Sequence, residues 1–203
     1  MTKEYGQAPK SSKRKATSKK EAEKKAAIKK LWEMGELSWK LKGKQKDIYD
    51  NIVNAIDDVI TILVSRRFGK SFVNCLRAVE VCLKTPDAIV KYACPKQKMV
   101  STIIKPIMRL ILKDCPDHLK PEWKSQDKVY LFPNGSEIQV AGTDHGNAEN
   151  LRGGYANLLI CDEAGFMDDL DYVIKSILLP TTDTTDGKLI LTSTPNFKDP
   201  QHE

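Results

Sequence analysis

Short continuous apolar runs alternate along the chain with longer segments in which apolar residues recur at helical spacing. The runs have the length and β-branched content of buried strands, and they span residues 59–64, 88–94, 158–164 and 188–195. Helical spacing follows the first two runs, at residues 70–84 and 97–115. Proline interrupts helical hydrogen bonding, so we expect Pro106 to kink or split the second of these helices.

Another helix is predicted before the first run, and it should have one apolar face. Its apolar positions are Ile48, Ile52, Val53 and Ile56. Residues 128–142 contain two short strands joined by Pro-Asn-Gly-Ser, which is typical of a β-hairpin. Strands that alternate with helices indicate an α/β domain, in which a mainly parallel sheet has helices on both faces and the hairpin is inserted.

The positive charge of the chain is concentrated at its start. Residues 1–30 contain 11 Lys and Arg against 3 Glu, whereas the remainder contains 22 Lys and Arg against 24 acids. This asymmetry divides the chain into a basic, disordered tail at residues 1–30 and a near-neutral domain at residues 31–203. The tail is either a solvated leader or a segment attracted to a polyanion, and the sequence leaves both interpretations open.

The distribution of apolar residues and cysteines argues against several functional classes. No apolar run approaches the roughly 18 residues of a membrane-spanning helix, and the basic N-terminus lacks the apolar segment of a secretory signal. We therefore expect neither membrane association nor secretion. The five cysteines form no C-x-x-C pair, which argues against zinc and disulfide frameworks. Cys75 and Cys82 are expected to be small buried hydrophobes.

The sequence SRRFGKS at residues 65–71 follows the first predicted strand, where α/β sheets bind their ligands. It matches the end of the phosphate-loop pattern G-x-x-x-x-G-K-[ST], although Val64 occupies the place of the first glycine. Backbone N–H groups at the start of the next helix would face a phosphate. Lys70 would then contact the outer phosphates, and the Ser71 hydroxyl would bind Mg²⁺.

Two other predicted strands also end in residues suited to nucleotide chemistry. After the third strand, Asp162 would hold the metal ion, and Glu163 would polarise a water molecule for attack on the γ-phosphate. After the fourth strand, the hydroxyls of Thr192, Ser193 and Thr194 would detect whether that phosphate is present. Each motif alone occurs often by chance. The three together, in this order and each at a strand end, favour ATP hydrolysis.

The three motifs SRRFGKS, LLICDEA and TSTP resemble the ATPase domain of the terminase large subunit, the motor that packages DNA into tailed-phage capsids. The resemblance extends from about Trp39 to Pro195, and it implies a three-layer P-loop NTPase fold of the ASCE type. In that family the loop commonly has the form S-R-x-x-G-K-[ST], without the first glycine. The resemblance therefore implies that ATP is bound by Ser65, Arg66, Arg67, Phe68, Gly69, Lys70 and Ser71.

The same resemblance implies roles for residues outside the loop. Gln45 lies where the family has a glutamine that recognises adenine. Arg152, ten residues before Asp162, resembles an arginine finger offered to the ATP of a neighbouring subunit. Alternatively, Arg152 pairs with Glu149 on a surface loop. Coupling of hydrolysis to movement, the role of the TSTP motif in the family, is implied for Thr192, Ser193 and Thr194.

The resemblance also implies cofactors, partners and a location. The cofactors are ATP and Mg²⁺, and the partners are double-stranded DNA, the portal protein, the small terminase subunit and further copies of the chain in a ring. The motor would act in the host cytoplasm, transiently at the portal vertex of the procapsid. Family members continue past TSTP into a lid and a nuclease domain, whereas this chain ends at Glu203, so we do not expect nuclease activity from it.

Two alternative functions remain open from the sequence. A helicase-like or other nucleic-acid-dependent motor would also use a loop, an acidic pair and a Ser-Thr motif, although TSTP and the Arg-Arg loop favour the terminase. A non-catalytic DNA-binding fragment would act through its basic tail instead. Binding through the tail should weaken steeply with added salt and should not depend on ATP.

Overall fold

The computed structural model describes residues 11–195, with side chains from residue 20 onward. Its centre is a seven-stranded sheet with the order β1-β7-β6-β2-β5-β4-β3. The strands are β1 (Val59–Leu63), β2 (Ile89–Cys94), β3 (Glu122–Lys124), β4 (Val129–Leu131), β5 (Glu137–Gly142), β6 (Leu158–Asp162) and β7 (Lys188–Ser193). Strands β1, β7, β6, β2 and β5 are parallel, and β4 and β3 extend the sheet in antiparallel pairs.

Helices connect the strands, and several of them are short or segmented. The three longest are α1 (Ser11–Glu33), α2 (Lys44–Asn54) and α3 (Lys70–Lys84). Between β2 and β3 lie α4 (Gln97–Met99), a π-helical turn (Val100–Ile104), α5 (Lys105–Ile111) and a 3-10 turn (Leu112–Asp114). Between β6 and β7 lie a 3-10 turn (Ala164–Phe166), α6 (Leu170–Tyr172), a π-helical turn (Val173–Leu178) and another 3-10 turn (Leu179–Thr181). Two more 3-10 segments are Ser38–Lys40 and Asp144–Leu151.

The sheet has a hydrophobic layer on each face, because successive side chains of a strand point to opposite sides. Ile160 of β6 belongs to the cluster that includes Val73 and Leu76 of α3. Its neighbour Leu159 belongs to a second cluster with Ile177 of the turn at Val173–Leu178. Helical segments therefore cover both faces, which confirms the predicted three-layer α/β architecture.

Several predicted elements are confirmed, one of them with the predicted boundaries. Helix α3 spans residues 70–84, as its apolar spacing indicated. Pro106 lies in the first turn of α5, directly after a π-helical turn, so the helical hydrogen-bond pattern changes beside it, although the backbone at Ile104 and Lys105 stays helical and the helix is not split. The hairpin of β4 and β5 is present as well. Strand β5 also pairs in parallel with β2, so the hairpin extends the main sheet.

Strand β1 is more exposed than its apolar sequence predicts. We expected residues 59–64 to be buried on both faces, but Ile60 alone is buried within β1, and Leu63 is 61% exposed. The reason is the position of the strand: β1 pairs with β7 and forms one edge of the sheet. A continuous β-branched run thus predicted the strand correctly but not its place in the sheet.

The apolar face of α2 is also not the one predicted. Ile48 and Ile52 are buried, as expected, but Val53 and Ile56 are 46% and 92% exposed. Helix α2 ends two residues before Ile56, so this residue does not continue its periodicity. Tyr49 completes the buried face instead.

Residues 11–30 differ from the expectation of a disordered tail, because the structure places them in helix α1. The segment is rich in Ala, Lys and Glu, which are strong helix formers. Near the end of this helix, Trp32 is fully buried and Ile28 packs against the main core. Residues 1–10 lie outside the described part of the chain, and the boundary between tail and domain at residue 30 stays a prediction.

All five cysteines are buried and unpaired. Burial raises the pKa of every one of these thiols, so a reactive thiolate is disfavoured at neutral pH. The predicted packing role of Cys75 and Cys82 is confirmed, since both lie in the core. Among the described helices, none is long and apolar enough to cross a membrane.

Candidate functional site

The loop between β1 and α3 arches over the carboxyl end of the sheet. Its first residue, Val64, donates its N–H to the Ser193 carbonyl of β7 at 3.1 Å. Gly69 has φ +85°, a conformation that favours glycine. A Cβ atom at this position would also lie 2.4 Å from Nε2 of Gln45. The backbone conformation therefore favours glycine at position 69, whereas the contact involves the end of a flexible side chain that could move aside.

Lys70, the first residue of α3, lies at the centre of a buried polar cluster. Its side chain is only 4% exposed, and Nζ donates to the Val64 carbonyl at 3.1 Å and to Oγ1 of Thr194 at 2.8 Å. Oε1 of Glu163 lies 3.4 Å from Nζ. Thr194 in turn donates its hydroxyl to Oε1 and its N–H to Oε2 of Glu163, both at 3.1 Å. The loop, the acidic pair and the TSTP motif thus meet in one place.

Asp162 forms a second cluster beneath the first, and it is fully buried. Its Oδ1 accepts hydrogen bonds from Thr192 at 3.0 Å and from Asn74 at 3.2 Å, and its Oδ2 accepts one from Tyr92 at 2.9 Å. Burial raises the pKa of the Asp162 carboxyl, while hydrogen bonds from Ser71, Tyr92 and Thr192 oppose that rise. Asp162 is therefore held by donors from α3, β2 and β7.

The three hydroxyls of Thr192, Ser193 and Thr194 contact different parts of this arrangement. Thr192 is buried against Asp162 and accepts from Nδ2 of Asn74 at 2.8 Å. Oγ of Ser193 accepts the N–H of Gly165, just after the acidic pair, at 3.1 Å. Thr194 joins Lys70 to Glu163, as described above. One short segment is thus bonded to the loop helix, to both acids and to the turn that follows them.

The family to which the chain belongs follows from a sequence comparison. The protein-family model that describes the N-terminal part of the terminase large subunit, T4likevirus type, matches residues 61–198. The match covers more than half of the chain. The chain belongs to the terminase large subunit family. A search of curated proteins found no match.

Solved terminase structures share the fold. The ATPase domain of the large terminase of Thermus phage P74-26 is 19% identical, with a TM-score of 0.59, and the match covers 79% of this chain and 67% of that one. The large terminase of a thermophilic bacteriophage in complex with ADP is 16% identical, with a TM-score of 0.56 and coverages of 75% and 39%. The large terminase of bacteriophage HK97 is 14% identical, with a TM-score of 0.56, and the match covers 77% of this chain and 33% of that one.

These likenesses confirm the predicted P-loop NTPase fold of the ASCE type. Because the identities are low, they show the fold alone. The chain spans about two thirds of the P74-26 domain and between one third and two fifths of the other two terminases. A further structure of the thermophilic phage enzyme contains ATP-gamma-S.

The other loop residues of this terminase lie closer to solvent than Lys70. Ser65, Arg66 and Arg67 are exposed, and Phe68 is half-buried. Nζ of Lys44 lies 4.4 Å from the centre of the Phe68 ring, a cation–π contact. Beside the loop, α2 and β1 form a groove of about 540 Å³ whose lining includes Lys44 and Phe68.

Gln45 of the terminase chain lies next to this groove. It is half-buried against Gly69, and its Oε1 accepts the N–H of Lys42 at 2.9 Å. Gln45 therefore lies in contact with the loop. Recognition of adenine by its side chain stays a prediction.

Arg152 lies apart from the Lys70 and Asp162 clusters. Its Nε donates to Oε2 of Glu149 at 2.6 Å, and its two other nitrogens donate to the Ser176 carbonyl at 2.8 Å and to the Tyr172 hydroxyl at 3.0 Å. The pairing with Glu149 that the sequence suggested is thus present. These contacts place the Arg152 side chain against the helical layer that follows β6.

A buried lysine holds the backbone next to Arg152. Lys91 of β2 is fully buried, and its Nζ donates to the Gly153 carbonyl at 2.5 Å. Burial lowers the pKa of Lys91 to about 8, and nearby Glu137 acts in the opposite direction. In the unfolded chain the pKa of a lysine is about 10.4. Between these values the unfolded state binds a proton that the folded state does not, so stability should rise with pH.

We therefore expect wild-type protein to gain stability relative to Lys91→Met as the pH increases from about 7 to about 10. The full difference between the two pKa values corresponds to about 3 kcal/mol in free energy of unfolding. Chemical denaturation of both proteins across this pH range measures it, since titration of all other groups cancels in the comparison. If the difference in free energy of unfolding between wild type and Lys91→Met stays constant or falls with pH, the pKa of Lys91 is not lowered in the folded protein.

The residues present fit the magnesium ion that the family implies. Mg²⁺ is usually held by one or two protein oxygens together with substrate phosphates and water. Ser71 is the second residue of α3, next to Lys70, and its hydroxyl is hydrogen-bonded to Asp162. Within the described residues no group of three His, Cys, Asp or Glu could hold a metal ion by itself. A site that depends on bound nucleotide is therefore the one these residues suit.

Sequence reasoning missed Asn74 and Tyr92, which both donate to Asp162. A signal for Asn74 was available, because it lies four residues after Lys70 and so on the same face of the helix. It is also a polar residue among the apolar positions of α3. Tyr92 gave no such signal, since an aromatic residue is ordinary in a buried strand.

Proposed function

We propose that this terminase chain is the ATP-hydrolysing motor domain that drives double-stranded DNA into the viral procapsid. The observation that carries the proposal is the contact of Lys70 with Glu163 and Thr194. A phosphate-binding lysine, a carboxylate base and a hydroxyl at a movable strand end are the groups that ATP-driven motion requires.

ATP would bind with its phosphates against the loop and the first N–H groups of α3. Lys70 would turn from Thr194 and Glu163 toward the outer phosphates, and Arg66 would approach them from the exposed side of the loop. Ser71, with Asp162 behind it, would hold Mg²⁺, which would neutralise part of the phosphate charge. The exposed loop residues Ser65, Arg67 and Phe68 would complete the contact with nucleotide.

In the hydrolytic step Glu163 would accept a proton from the attacking water molecule. The oxygen of that water bonds to the γ-phosphorus, the bond to the β–γ bridging oxygen breaks, and ADP and phosphate leave. Glu163 has φ +56° and is held by two hydrogen bonds from Thr194, so its carboxylate is fixed in one orientation. A positioned base of this kind contributes a rate factor of roughly 10² to 10⁴.

Thr194 is suited to couple hydrolysis to movement. Its hydroxyl accepts from Lys70 and donates to Glu163, so a ligand that draws Lys70 away changes the contacts of Thr194. Thr192 and Ser193 are bonded to Asp162 and to Gly165, and they would pass such a change into β7 and the turn after β6. A motor requires an element of this kind, whose contacts would differ between the phosphate-bound and phosphate-free states.

The groove between α2 and β1 supports a site for the nucleoside. It adjoins the loop, and Gln45 lies beside it against Gly69. We assign adenine recognition to Gln45 on this basis. The partners that accompany the motor in this proposal are double-stranded DNA, the portal protein, the small terminase subunit and a ring of further copies, in the host cytoplasm at the portal vertex.

Arg152→Ala is expected to leave ATP affinity unchanged and to lower turnover of assembled subunits by about 100-fold, the cost of losing one transition-state donor. Its position away from the Lys70 cluster supports action on a neighbour's ATP. Arg109→Ala, an exposed arginine of α5, is the matched control. Mixing Arg152→Ala with Lys70→Met subunits should restore part of the turnover, because each supplies what the other lacks. No recovery on mixing would contradict action between subunits.

ATP hydrolysis measured with and without double-stranded DNA tests the proposal as a whole. We expect DNA to raise turnover, and we expect deletion of residues 1–27, which stops before the packed Ile28, to leave nucleotide binding intact. The alternative, a non-catalytic DNA-binding fragment, predicts another result. The chain would bind DNA through residues 1–30, its affinity for DNA would fall steeply with added salt, and it would bind no nucleotide.

A further inference from the structure

A second groove opens at the carboxyl end of the sheet, and it shares no lining residue with the nucleoside groove. Its volume is about 510 Å³, within the roughly 300 to 1,000 Å³ of small-molecule sites. Its lining consists of Arg66, Pro95, Lys96, Met99, Glu163, Phe166 and Asp168. The groove thus contains the proposed base and one loop arginine, together with a lysine that has no role in the function proposed above.

The strand order explains why these groups share a groove. Arg66 follows β1 and Lys96 follows β2, and in the sheet β7 and β6 lie between those two strands. The two intervening strands lead to Thr194 and Glu163. Two cations from distant parts of the sequence therefore flank the residues that would surround the terminal phosphate.

Lys96 extends from a turn whose backbone is firmly anchored. The N–H of the next residue, Gln97, donates to Oδ1 of Asp144 at 2.8 Å, and Oε1 of Gln97 accepts the N–H of Gly142 at 2.9 Å. A Cβ atom at Gly142 would lie 2.1 Å from the Gln97 nitrogen, so only glycine permits this approach. The hydroxyl of Thr143 also donates to the Pro95 carbonyl at 3.3 Å. The turn is held on the β5 side, and the Lys96 side chain is exposed on the groove side.

The charges in the groove suit a terminal phosphate better than a carbonyl or an apolar group. Glu163 is already bonded to Lys70 and Thr194, which offsets its negative charge. Among the described residues no ion pair is formed by Arg66 or Lys96. Two cations that are not neutralised by neighbours favour a phosphate oxygen, which forms strong charge-assisted hydrogen bonds. Asp168 also lines the groove, and its charge opposes the attraction of these cations for an anion.

We propose that Lys96 is a further phosphate-binding residue, which contacts the terminal phosphate of ATP from the side of β2. The inference rests on the proposed nucleotide site and adds to it a group that distinguishes ATP from ADP. Because ADP lacks the terminal phosphate, Lys96 has nothing to contact when ADP is bound. The residue thereby makes the affinity of the loop depend on the hydrolysis state of the nucleotide.

Calorimetric titration of a non-hydrolysable ATP analogue and of ADP tests the inference. For Lys96→Met we expect analogue affinity to fall by about tenfold, and ADP affinity to change by less than about twofold. Lys96→Arg should retain the preference for the analogue. Lys98→Met is the matched control, because Lys98 is exposed two residues further along, in α4, and does not line the groove. Thermal melting of each variant verifies folding.

The possible results separate this inference from the proposed function. If wild-type protein binds neither nucleotide, the proposed function fails as well. If wild type binds both, while Lys96→Met matches Lys98→Met, the inference alone is overturned. Equal weakening of analogue and ADP, or a loss confined to DNA binding, would also overturn it. Loss of the analogue preference with ADP binding intact supports it.

Discussion

Lys70→Met is expected to weaken ATP binding by about 1,000-fold. Charge-assisted hydrogen bonds contribute about 1.5–3 kcal/mol each, and an ammonium group that contacts two phosphates supplies two of them. The substitution also leaves Glu163 without its cation, which lies 3.4 Å away in the wild-type protein. An uncompensated carboxylate beside the phosphates adds repulsion. Both effects weaken ATP binding. The loss of affinity in Lys70→Met should therefore exceed the loss caused by substitution of any exposed residue of the loop.

Titration of a labelled ATP analogue against wild type and Lys70→Met measures the effect. Lys84→Met is the matched control, since Lys84 ends the same helix and pairs with Glu36 at a half-exposed site. The aliphatic part of the side chain is retained in methionine, so the buried volume changes little. Equal affinities of wild type and Lys70→Met would remove the loop from its assigned role.

Much of the candidate site could be predicted because parallel strands have a simple consequence. Their carboxyl ends lie at one edge of the sheet, so motifs that follow three strands come together when those strands are neighbours, as β1, β7 and β6 are here. Lys70, Glu163 and Thr194 were placed in one site by this argument alone, and their proximity is confirmed. Their chemical roles depend on a ligand, and those remain predictions.

The parts that sequence reasoning missed depend on tertiary neighbours. The exposure of Leu63 follows from the edge position of β1, and strand order cannot be derived from the composition of a single run. Tyr92 contacts Asp162 only because β2 lies next to β6 in the sheet. Lys96 belongs to no motif, and its relation to Glu163 appears only when the ends of β2 and β6 are placed side by side. Local sequence patterns contain none of this information.

Asp162 and Glu163 are adjacent in sequence but lie in different environments, which suits them to different roles. Asp162 is fully buried and accepts from Asn74, Tyr92 and Thr192, so it is fixed as part of the scaffold. Glu163 is partly exposed, and its partners Lys70 and Thr194 are the groups that a nucleotide would displace. Adjacent carboxylates in different environments can therefore serve as a metal support and as a base.

Glu163→Gln is expected to lower ATP turnover by roughly 1,000-fold while ATP binding is retained or becomes tighter. Glutamine has the shape of glutamate and can still accept the Thr194 N–H, but its amide cannot take a proton from water. Removal of a negative charge next to the phosphates favours binding. Single-turnover hydrolysis of labelled ATP, with protein in excess, measures the chemical step without product release.

The control for this substitution is Asp171→Asn, which makes the same carboxylate-to-amide change at an exposed residue that pairs with Lys175 in the following helical segment. It should hydrolyse ATP at the wild-type rate. Unchanged turnover in Glu163→Gln would exclude Glu163 as the base. Loss of ATP binding together with turnover would instead mean that the contact of Glu163 with Lys70 and Thr194 is needed to form the loop, and that the separation of binding from catalysis is wrong.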